Sequence, residues 1–380
     1  MKQLMLLFFE RILFGLLTAL IPAKKGLMLF GSGFNKFSDN PKFLFLYFQD
    51  KSDYSPIWIS PCRLEVKGLR EKGFNCYYRW SLGAIWAVVR APIFIVSHNV
   101  ADIFPIIPRR GIVINLWHGT PIKKIGFDSP IEQAWIESFR NAGRTLPYDR
   151  WNYFIAASPS TSFIFESAMH LPTSKIKPLG QPRTNPIFDA TNDKEIKAKT
   201  EAKLRFVKKT GDRRRVLYTP TFRNNELSTS KIRESLIEVN KALDKKQNQL
   251  ILFKPHPLDK RIFDDQFFGP LQNVFNVSNE DTQDLLCAAD MLITDYSSIM
   301  FDFMITGKPI ISYIFDFDDY IAENGGLYFS FEEIGTKVAT SSSELLSLIL
   351  DLDLISGGYD ELKFNTADSC EKIDKFLESL

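Results

Sequence analysis

Eleven short, mostly continuous apolar runs recur along the chain from residue 27 onwards, and they constrain the fold more than any other feature. The runs occupy residues 27–32, 56–60, 74–78, 93–97, 112–117, 153–157, 216–219, 250–254, 274–277, 291–295 and 310–314. Apolar runs without alternation are typical of strands that are buried on both faces of a parallel sheet. Segments of helical length, such as 232–243 and 281–289, lie between them. This order predicts doubly wound α/β sheets with right-handed crossovers.

A polar, highly charged stretch at residues 190–215 divides the runs into a group of six and a group of five. A chain of 380 residues is long enough for two domains. We therefore predict one domain over residues 25–188, a charged connector over 189–214 and a second domain over 215–380.

Residues 1–24 are predicted to form a membrane-associating amphipathic helix. The stretch is almost wholly apolar, but Glu10 and Arg11 lie in its middle. Two central charges disfavour a helix that spans the bilayer. Lys24 and Lys25, followed by a strand-like run, do not fit a signal-peptide cleavage site. We prefer an interfacial helix on the cytoplasmic leaflet, with a helix packed on the protein's own core as the alternative.

The charge and cysteine content exclude several classes of protein. The 47 Lys+Arg residues nearly balance the 45 Asp+Glu, so no strong global field attracts nucleic acid. The four cysteines have neither zinc spacing nor the number that a disulfide scaffold needs, and we expect no metal or cofactor. The turn at Gly31–Gly33 lacks the third glycine of a dinucleotide fingerprint. The acidic cluster at 316–319 is interpreted as a solvated loop.

Polar clusters follow four of the predicted strands, at the edge where open α/β sheets bind ligands. The clusters are 118–124, 220–223, 254–257 and 295–298. Because they are split between the two halves of the chain, we expect a ligand to be held in a cleft between the two domains.

Two of the four histidines follow such strands and are the candidate catalytic residues. Gly119 lets a ligand approach His118 closely, and a neutral imidazole there can remove a proton from a hydroxyl. His256 lies between two prolines, so a stiff loop presents an imidazole that can bind or protonate a phosphate oxygen. Each of the two has a purely structural alternative. His98 and His170 follow no such pattern and are interpreted as structural.

Candidate groups for binding a pyrophosphate follow the other strands and the first domain. Ser297 and Ser298 precede an apolar helical stretch, where they can add hydroxyls to free amide donors or serve as an ordinary N-cap. Arg183 and Arg223 are candidate fixed cations, with surface ion pairs as the alternative. Asp302 could accept from ribose hydroxyls or only complement the helix dipole.

Five strings of the sequence resemble the CDP-glycerol glycerophosphotransferases of teichoic acid and capsule synthesis. They are NLWHGTPIKKIGFD at 115–128, GQPRTN at 180–185, YTPTFRNN at 218–225, FKPHP at 253–257 and LITDYSSIMFDFMITGKPIISYIFDFDDY at 292–320. The resemblance extends over roughly residues 25–350 and implies a GT-B architecture with two Rossmann-like domains facing a central cleft. It places the two essential histidines of the family at His118 and His256 and its donor-phosphate serines at Ser297 and Ser298.

The resemblance also implies roles for the remaining candidates. The residues expected to bind the donor phosphate or nucleotide are Arg183, Thr221, Arg223, Lys254, Ser297, Ser298 and Asp302. The residues expected on the acceptor side are Gly119, Thr120, Lys123, Lys124 and Asp128.

The activity that the resemblance implies is transfer of glycerol phosphate, or a related polyol phosphate, from CDP-glycerol or CDP-ribitol. The acceptor would be a hydroxyl of a lipid-linked saccharide or a growing polymer at the cytoplasmic face of the membrane, and CMP would be released. A GT-B glycosyltransferase that uses a sugar nucleotide is the alternative, and a non-enzymatic membrane scaffold is a second one. A primer enzyme that adds one unit and a polymerase that adds many could share every motif.

Overall fold

The computed structural model of the protein describes residues 14–33, 36–223, 226–243, 248–259, 262–350 and 358–380, which form two compact units. The first unit contains the described residues up to His118, Glu132–Arg183 and Thr366–Leu380, and the second contains Gly119–Ile131 and Thr184–Asn365. The predicted domains were continuous, whereas both observed units are assembled from separate stretches of the chain.

The first unit is built on a parallel sheet of seven strands in the order β3-β2-β1-β4-β5-β6-β7. The strands are β1 Leu27–Phe30, β2 Ser55–Ser60, β3 Cys76–Tyr78, β4 Ile93–Val96, β5 Ile112–Asn115, β6 Tyr153–Ile155 and β7 Ile176–Lys177. In the register of the central strands, Leu29 pairs with Ile57 on one side and Phe94 on the other. All six apolar runs predicted in this half of the chain contain strands.

The second unit is built on a parallel sheet of six strands in the order β10-β9-β8-β11-β12-β13. The strands are β8 Arg214–Tyr218, β9 Gln249–Phe253, β10 Val274–Asn276, β11 Met291–Thr294, β12 Ile310–Tyr313 and β13 Lys337–Ala339. The strand order reverses between β1 and β4 in one sheet and between β8 and β11 in the other. Ligands of open α/β sheets bind at such reversals. The predicted doubly wound parallel sheets are confirmed.

The apolar runs did not indicate β7 and β13, which are the outermost strands on one side of their sheets. Strand β7 has only two residues, and Val338 at the middle of β13 is 41% exposed. An edge strand needs no continuous apolar run, because one side of it has no neighbouring strand to bury it.

Helices connect the strands. They are α1 Phe14–Leu20, α2 Asp39–Phe48, α3 Arg63–Glu71, α4 Leu82–Arg90, α5 Pro130–Asn141, α6 Ser162–Met169, α7 Asn185–Asn192, α8 Lys194–Ala202, α9 Val207–Thr210, α10 Glu226–Leu243, α11 Asp265–Phe268, α12 Thr282–Ala288, α13 Ile299–Met304, α14 Phe317–Asn324, α15 Phe331–Ile334, α16 Ser342–Leu350, α17 Glu361–Phe364 and α18 Ser369–Glu378. Three of them, α7, α8 and α9, occupy most of the predicted connector, and α8 begins with Asp193 accepting hydrogen bonds from the amides of Glu195 and Ile196.

The last helix, α18, belongs to the first unit rather than to the predicted second domain. It buries Cys370, Ile373 and Leu377 in the same apolar cluster as Phe30 and Trp58 of the first sheet. Burial of a large aliphatic side chain contributes about 1.5–3 kcal/mol, so this helix is an integral part of that core.

At the other end of the chain, α1 packs on α4, and Arg110 donates a hydrogen bond to the carbonyl oxygen of Thr18 at 2.6 Å. Residues 1–13 of the predicted membrane-associating helix lie outside the described residues. Within the described ranges, no helix has both the length and the apolar character needed to cross a bilayer.

Candidate active site

The loops that follow β8, β9 and β11 line one cavity of about 280 Å³ in the second unit. The three strands are neighbours in the sheet, so their carboxyl ends lie side by side. The lining residues are Thr219, Pro220, Thr221, Lys254, Pro255, His256, Thr282, Tyr296, Ser297, Ser298 and Ile299. The structure thus brings together five of the predicted site residues, namely Thr221, Lys254, His256, Ser297 and Ser298.

His256 presents its Nε2 atom as a hydrogen-bond donor. Its Nδ1 atom accepts from the amide of Leu258 at 3.3 Å, so the neutral ring carries its proton on Nε2. Burial lowers the pKa of His256, Asp295 opposes this effect, and Lys123 adds to it. A neutral His256 can therefore donate a hydrogen bond to a phosphate oxygen at pH 7.

Arg223 does not line this cavity, because two carboxylates already surround its guanidinium. Its Nη2 atom donates to Asp295 at 2.8 Å and its Nε atom to Asp316 at 2.6 Å, while Nη1 donates to the carbonyl oxygen of Thr221 at 2.8 Å. The hydroxyl and the amide of Thr221 also donate to Asp295. Arg223 is only 6% exposed. It therefore ties the loops after β8 and β11 together, and its predicted contact with a pyrophosphate stays a prediction.

The acidic cluster at 316–319 has a different character from the one expected. Asp316 is 8% exposed, and besides pairing with Arg223 it accepts from the hydroxyl of Tyr296 at 3.2 Å. For Asp316 the interpretation as a solvated loop residue is wrong, since a buried cation holds it in the interior. Among the residues that the structure describes, no group of three or more His, Cys, Asp or Glu could hold a metal ion.

Lys254 and Asp302 are both engaged by other parts of the second unit. The ammonium of Lys254 lines the cavity and donates to the carbonyl oxygen of Glu280 at 2.7 Å. Asp302 lies in the first turn of α13, is 1% exposed and accepts from the side-chain amide of Gln283 at 3.3 Å. This placement favours the structural alternative for Asp302, whose contact with ribose stays a prediction.

The segment that follows His118 belongs to the second unit, so the division between the units falls inside the predicted motif. The amide of Lys124 donates to the carbonyl oxygen of Gly326 at 2.9 Å, and the hydroxyl of Tyr328 donates to Asp128 at 2.7 Å. The residues predicted for the acceptor side of the first domain are all in this segment: Gly119, Thr120, Lys123, Lys124 and Asp128. Their assignment to the first domain differs from the observed division.

In the first unit, His118 follows a strained turn at the end of β5. Trp117 has a φ of +54°, in the left-handed region that few large side chains adopt. The side chain of Asn115 accepts a hydrogen bond from the backbone amide of Trp117 at 2.6 Å. The side-chain amide of Asn40 donates to the carbonyl oxygens of Leu116 at 3.1 Å and Trp117 at 3.0 Å. These bonds hold the backbone that carries His118 in one conformation.

Arg183 supports the same turn. Its Nη1 atom donates to the carbonyl oxygen of His118 at 2.8 Å and to Asp39 at 3.0 Å, and the residue is 8% exposed. Its charge is thus partly compensated within the first unit. Its predicted contact with the donor pyrophosphate stays a prediction.

The imidazole of His118 is stacked on that of His98, with ring centroids 4.2 Å apart and planes 5° apart. Burial, and after it the neighbouring His98, lower the pKa of His118 to about 3. Asp39 raises this pKa, Arg183 lowers it, and a hydrogen bond with the main chain of Ser97 raises it. The Nδ1 atom is buried and has no hydrogen-bond partner among the described residues. His118 is therefore unprotonated near pH 7.

Sequence reasoning missed the contact of His98, which it interpreted as structural. The available signal was position, because His98 directly follows the apolar run of β4 just as His118 follows that of β5. It also missed Thr282, which lines the cavity of the second unit, and it gave Tyr296 of the 295–298 cluster no individual role. His170 ends α6 with a φ of +51° and is exposed, which agrees with its structural interpretation.

Two parallel sheets with Rossmann strand order and polar loops at their carboxyl edges place the chain in the class of doubly wound α/β proteins, which bind ligands at that edge. Within that class, residues 13–366 match the family described as CDP-Glycerol:Poly(glycerophosphate) glycerophosphotransferase. The chain therefore belongs to this family, as its motifs predicted, and it is an enzyme of the glycerophosphotransferase type.

Named relatives agree with this assignment. A teichoic acid glycerol-phosphate transferase of Staphylococcus aureus is 31% identical over 363 residues, covering 89% of this chain and 87% of the relative. A teichoic acid poly(glycerol phosphate) polymerase of Staphylococcus epidermidis is 27% identical, and the match covers 91% of this chain but 47% of that longer protein. The solved structure of the wall teichoic acid polymerase TagF has the same fold, with a TM-score of 0.77 at 24% identity over 94% of this chain and 89% of that one.

Proposed function

We propose that the protein transfers glycerol phosphate, or a related polyol phosphate, from a CDP-activated donor to a hydroxyl of a lipid-linked saccharide or growing teichoic acid or capsule polymer, with release of CMP. The observation that carries this proposal is the cavity of the second unit, where Thr221, His256, Ser297 and Ser298 converge at a strand-order reversal. The family match and the relative with 31% identity support the same chemistry.

The donor pyrophosphate is proposed to bind in this cavity. The hydroxyls of Ser297 and Ser298 and the Nε2–H of His256 offer neutral donors, and the ammonium of Lys254 offers a positive charge. Hydrogen bonds to charged phosphate oxygens are about twice as strong as neutral ones. Fixed donors of this kind stabilise the charge that develops on the leaving CMP.

His118 is proposed to be the general base. Its unprotonated imidazole removes the proton of the acceptor hydroxyl while the hydroxyl oxygen attacks the β-phosphorus of the donor. A new P–O bond forms, the bond from that phosphorus to the bridging oxygen breaks, and CMP leaves with the electron pair. A pKa of about 3 makes the free ring a weak base. An anionic substrate placed beside the ring would raise this pKa and strengthen the base.

The proposed location is the cytoplasmic face of the membrane, with peripheral attachment. Three large apolar side chains at α4 are unusually exposed: Trp80 at 56%, Leu82 at 86% and Trp86 at 53%. The guanidinium of Arg90 lies 5.5 Å from the ring of Trp86, and Leu20 of the adjoining α1 is 81% exposed. Exposed Trp and Leu beside cations are typical of surfaces that bind anionic lipid. We call Trp80, Leu82 and Trp86 the membrane face.

The decisive test of the activity is CMP release by the full chain. CDP-glycerol, CDP-ribitol and a panel of sugar nucleotides are each supplied with a lipid-linked disaccharide, and both CMP and the size of the lipid product are measured. CMP release from a CDP-polyol that depends on the acceptor supports the proposal, and product size separates a single addition from polymerisation. Turnover of sugar nucleotides alone would establish the glycosyltransferase alternative. The variant His118→Ala is expected to lose at least about 100-fold in kcat.

The membrane face is tested by flotation with vesicles that contain phosphatidylglycerol or only phosphatidylcholine. The triple variant Trp80→Ser, Leu82→Ser, Trp86→Ser is expected to lose binding to the anionic vesicles. The variant Trp135→Ser is the matched control, since Trp135 is also 53% exposed but lies on α5. Equal flotation of the triple variant and the wild type would exclude this surface.

A further inference from the structure

The strand-order reversal of the first sheet lies between β1 and β4, and β5 is the next strand beyond β4. The carboxyl ends of these three strands therefore adjoin one another. They carry Gly33, His98 and His118, respectively. The two imidazoles stack face to face with a centroid distance of 4.2 Å and an angle of 5°. Parallel rings at this separation are in direct contact, and no hydrogen bond joins one imidazole to the other in this orientation.

Main-chain and side-chain bonds fix the position of His98. Its Nδ1 atom is 2.9 Å from the hydroxyl of Ser97, and its amide donates to the carboxylate of Asp102 at 2.8 Å. Its carbonyl oxygen accepts from the side chain of Asn115 at 3.0 Å. Asn115 also holds the amide of Trp117, so one side chain links the backbone of His98 to the turn that carries His118.

Gly33 makes room for this arrangement. A Cβ atom at residue 33 would lie 2.2 Å from Nδ1 of His98, which is far inside van der Waals contact. The amide of Gly33 donates to the hydroxyl of Ser97 at 2.9 Å. The glycine turn that resembles an incomplete dinucleotide fingerprint thus has a specific use here, because it admits the ring of His98.

We propose that His98 is a positioning residue for His118, a role that rests on the proposed function of His118 as the general base. The flat ring of His98 covers one face of the His118 ring and restricts its rotation. The centroid of the Trp117 ring lies 4.2 Å from that of His118, with 33° between the two ring planes. Orientation of a base against its substrate is worth large factors in rate. His98 does not pass a proton to His118, since the rings are stacked rather than hydrogen-bonded.

Burial is the main cause of the lowered pKa of His118, and His98 adds to it. Two stacked imidazolium ions would place like charges about 4 Å apart, which is unfavourable. The other charged groups that act on His118 are Asp39, which raises its pKa, and Arg183, which lowers it. These two groups act in opposite directions. Because His98 lowers the pKa of His118, its removal is expected to shift this pKa upwards.

The test uses the full chain with two substitutions at one position. His98→Ala removes the ring, and His98→Phe restores a flat ring without a titratable group. We expect His98→Ala to lower kcat/KM for the acceptor at pH 7 about tenfold or more, and His98→Phe to recover most of that loss. If His98→Phe is as impaired as His98→Ala while its melting temperature matches the wild type, His98 acts through its nitrogen atoms, and the positioning role is wrong.

A second measurement does not depend on activity. The chain has four histidines, so NMR titration of histidine side chains, assigned with single variants, follows His118 directly. The pKa of His118 is expected to rise in His98→Ala and His98→Phe and to stay unchanged in the control His170→Asn. An unchanged pKa and chemical shift of His118 in both His98 variants would overturn the proposal. Absence of CMP release in the wild type would instead contradict the proposed function and leave this titration as an independent test of the contact.

Discussion

Replacing Arg223 by Met is expected to destabilise the second unit strongly. The guanidinium is buried and forms ion pairs with Asp295 at 2.8 Å and Asp316 at 2.6 Å, whose side chains are 3% and 5% exposed. Met keeps most of the side-chain volume but removes the positive charge. Two carboxylates would then remain in the interior without their cation.

The size of the effect follows from the burial of all three groups. Removing one member of a buried ion pair costs about 3–5 kcal/mol in the free energy of unfolding, and two carboxylates lose their partner here. We therefore expect the upper part of that range. For a unit of 150–250 residues, 1 kcal/mol corresponds to about 2–4 °C, so the second unit should melt about 10–20 °C lower.

The assay is calorimetry together with urea unfolding of the full chain. The control is Lys199→Met, because the ion pair of Lys199 with Glu195 is formed by side chains that are 71% and 76% exposed, and its loss should cost below about 0.5 kcal/mol. Adding Asp295→Asn and Asp316→Asn to Arg223→Met should restore part of the stability. An Arg223→Met protein that unfolds within about 1 kcal/mol of the wild type would refute this account of the ion-pair cluster.

Three further predictions concern the histidines. The added methyl group of Gly33→Ala forces the ring of His98 to move, so kcat/KM should fall about tenfold. The control is Gly68→Ala, which should leave kcat/KM unchanged because a Cβ atom at residue 68 points into open space. The pKa of His118 is about 3 against the usual 6.5, so the unfolded chain binds more protons between these values and the wild type loses stability as the pH falls. Between pH 7 and pH 5, the free energy of unfolding of His118→Gln should fall less than that of the wild type, by up to about 1.4 kcal/mol per pH unit. Urea unfolding at the two pH values measures this difference. Equal losses in both proteins would contradict the lowered pKa. His256→Gln should raise the KM for CDP-glycerol at an unchanged melting temperature, and an unaltered KM would remove His256 from the donor site.

The strands were predictable because burial on both faces of a parallel sheet leaves a local signature in the sequence. The same logic fails for the edge strands β7 and β13, where burial is incomplete. The return of α18 to the first unit was also beyond local patterns, because an amphipathic helix does not specify which of two cores receives its apolar face.

The candidate site shows the same limit at the level of side chains. Strand-end positions indicated His256, Ser297 and Ser298, which line one cavity. The sequence did not reveal the partners of Arg223, since these carboxylates lie 72 and 93 residues away along the chain. An arginine that looks like a phosphate ligand in the sequence can be neutralised by residues that only the folded unit brings to it.

The discontinuity of the first unit has a consequence for biosynthesis. Its core includes Cys370, Ile373 and Leu377, which the ribosome adds more than 180 residues after Arg183, the last residue of the preceding stretch of that unit. The second unit, whose last described stretch ends at Asn365, is synthesised in full before the first unit can close. The core of the first unit can therefore be completed only after every described stretch of the second unit has been synthesised.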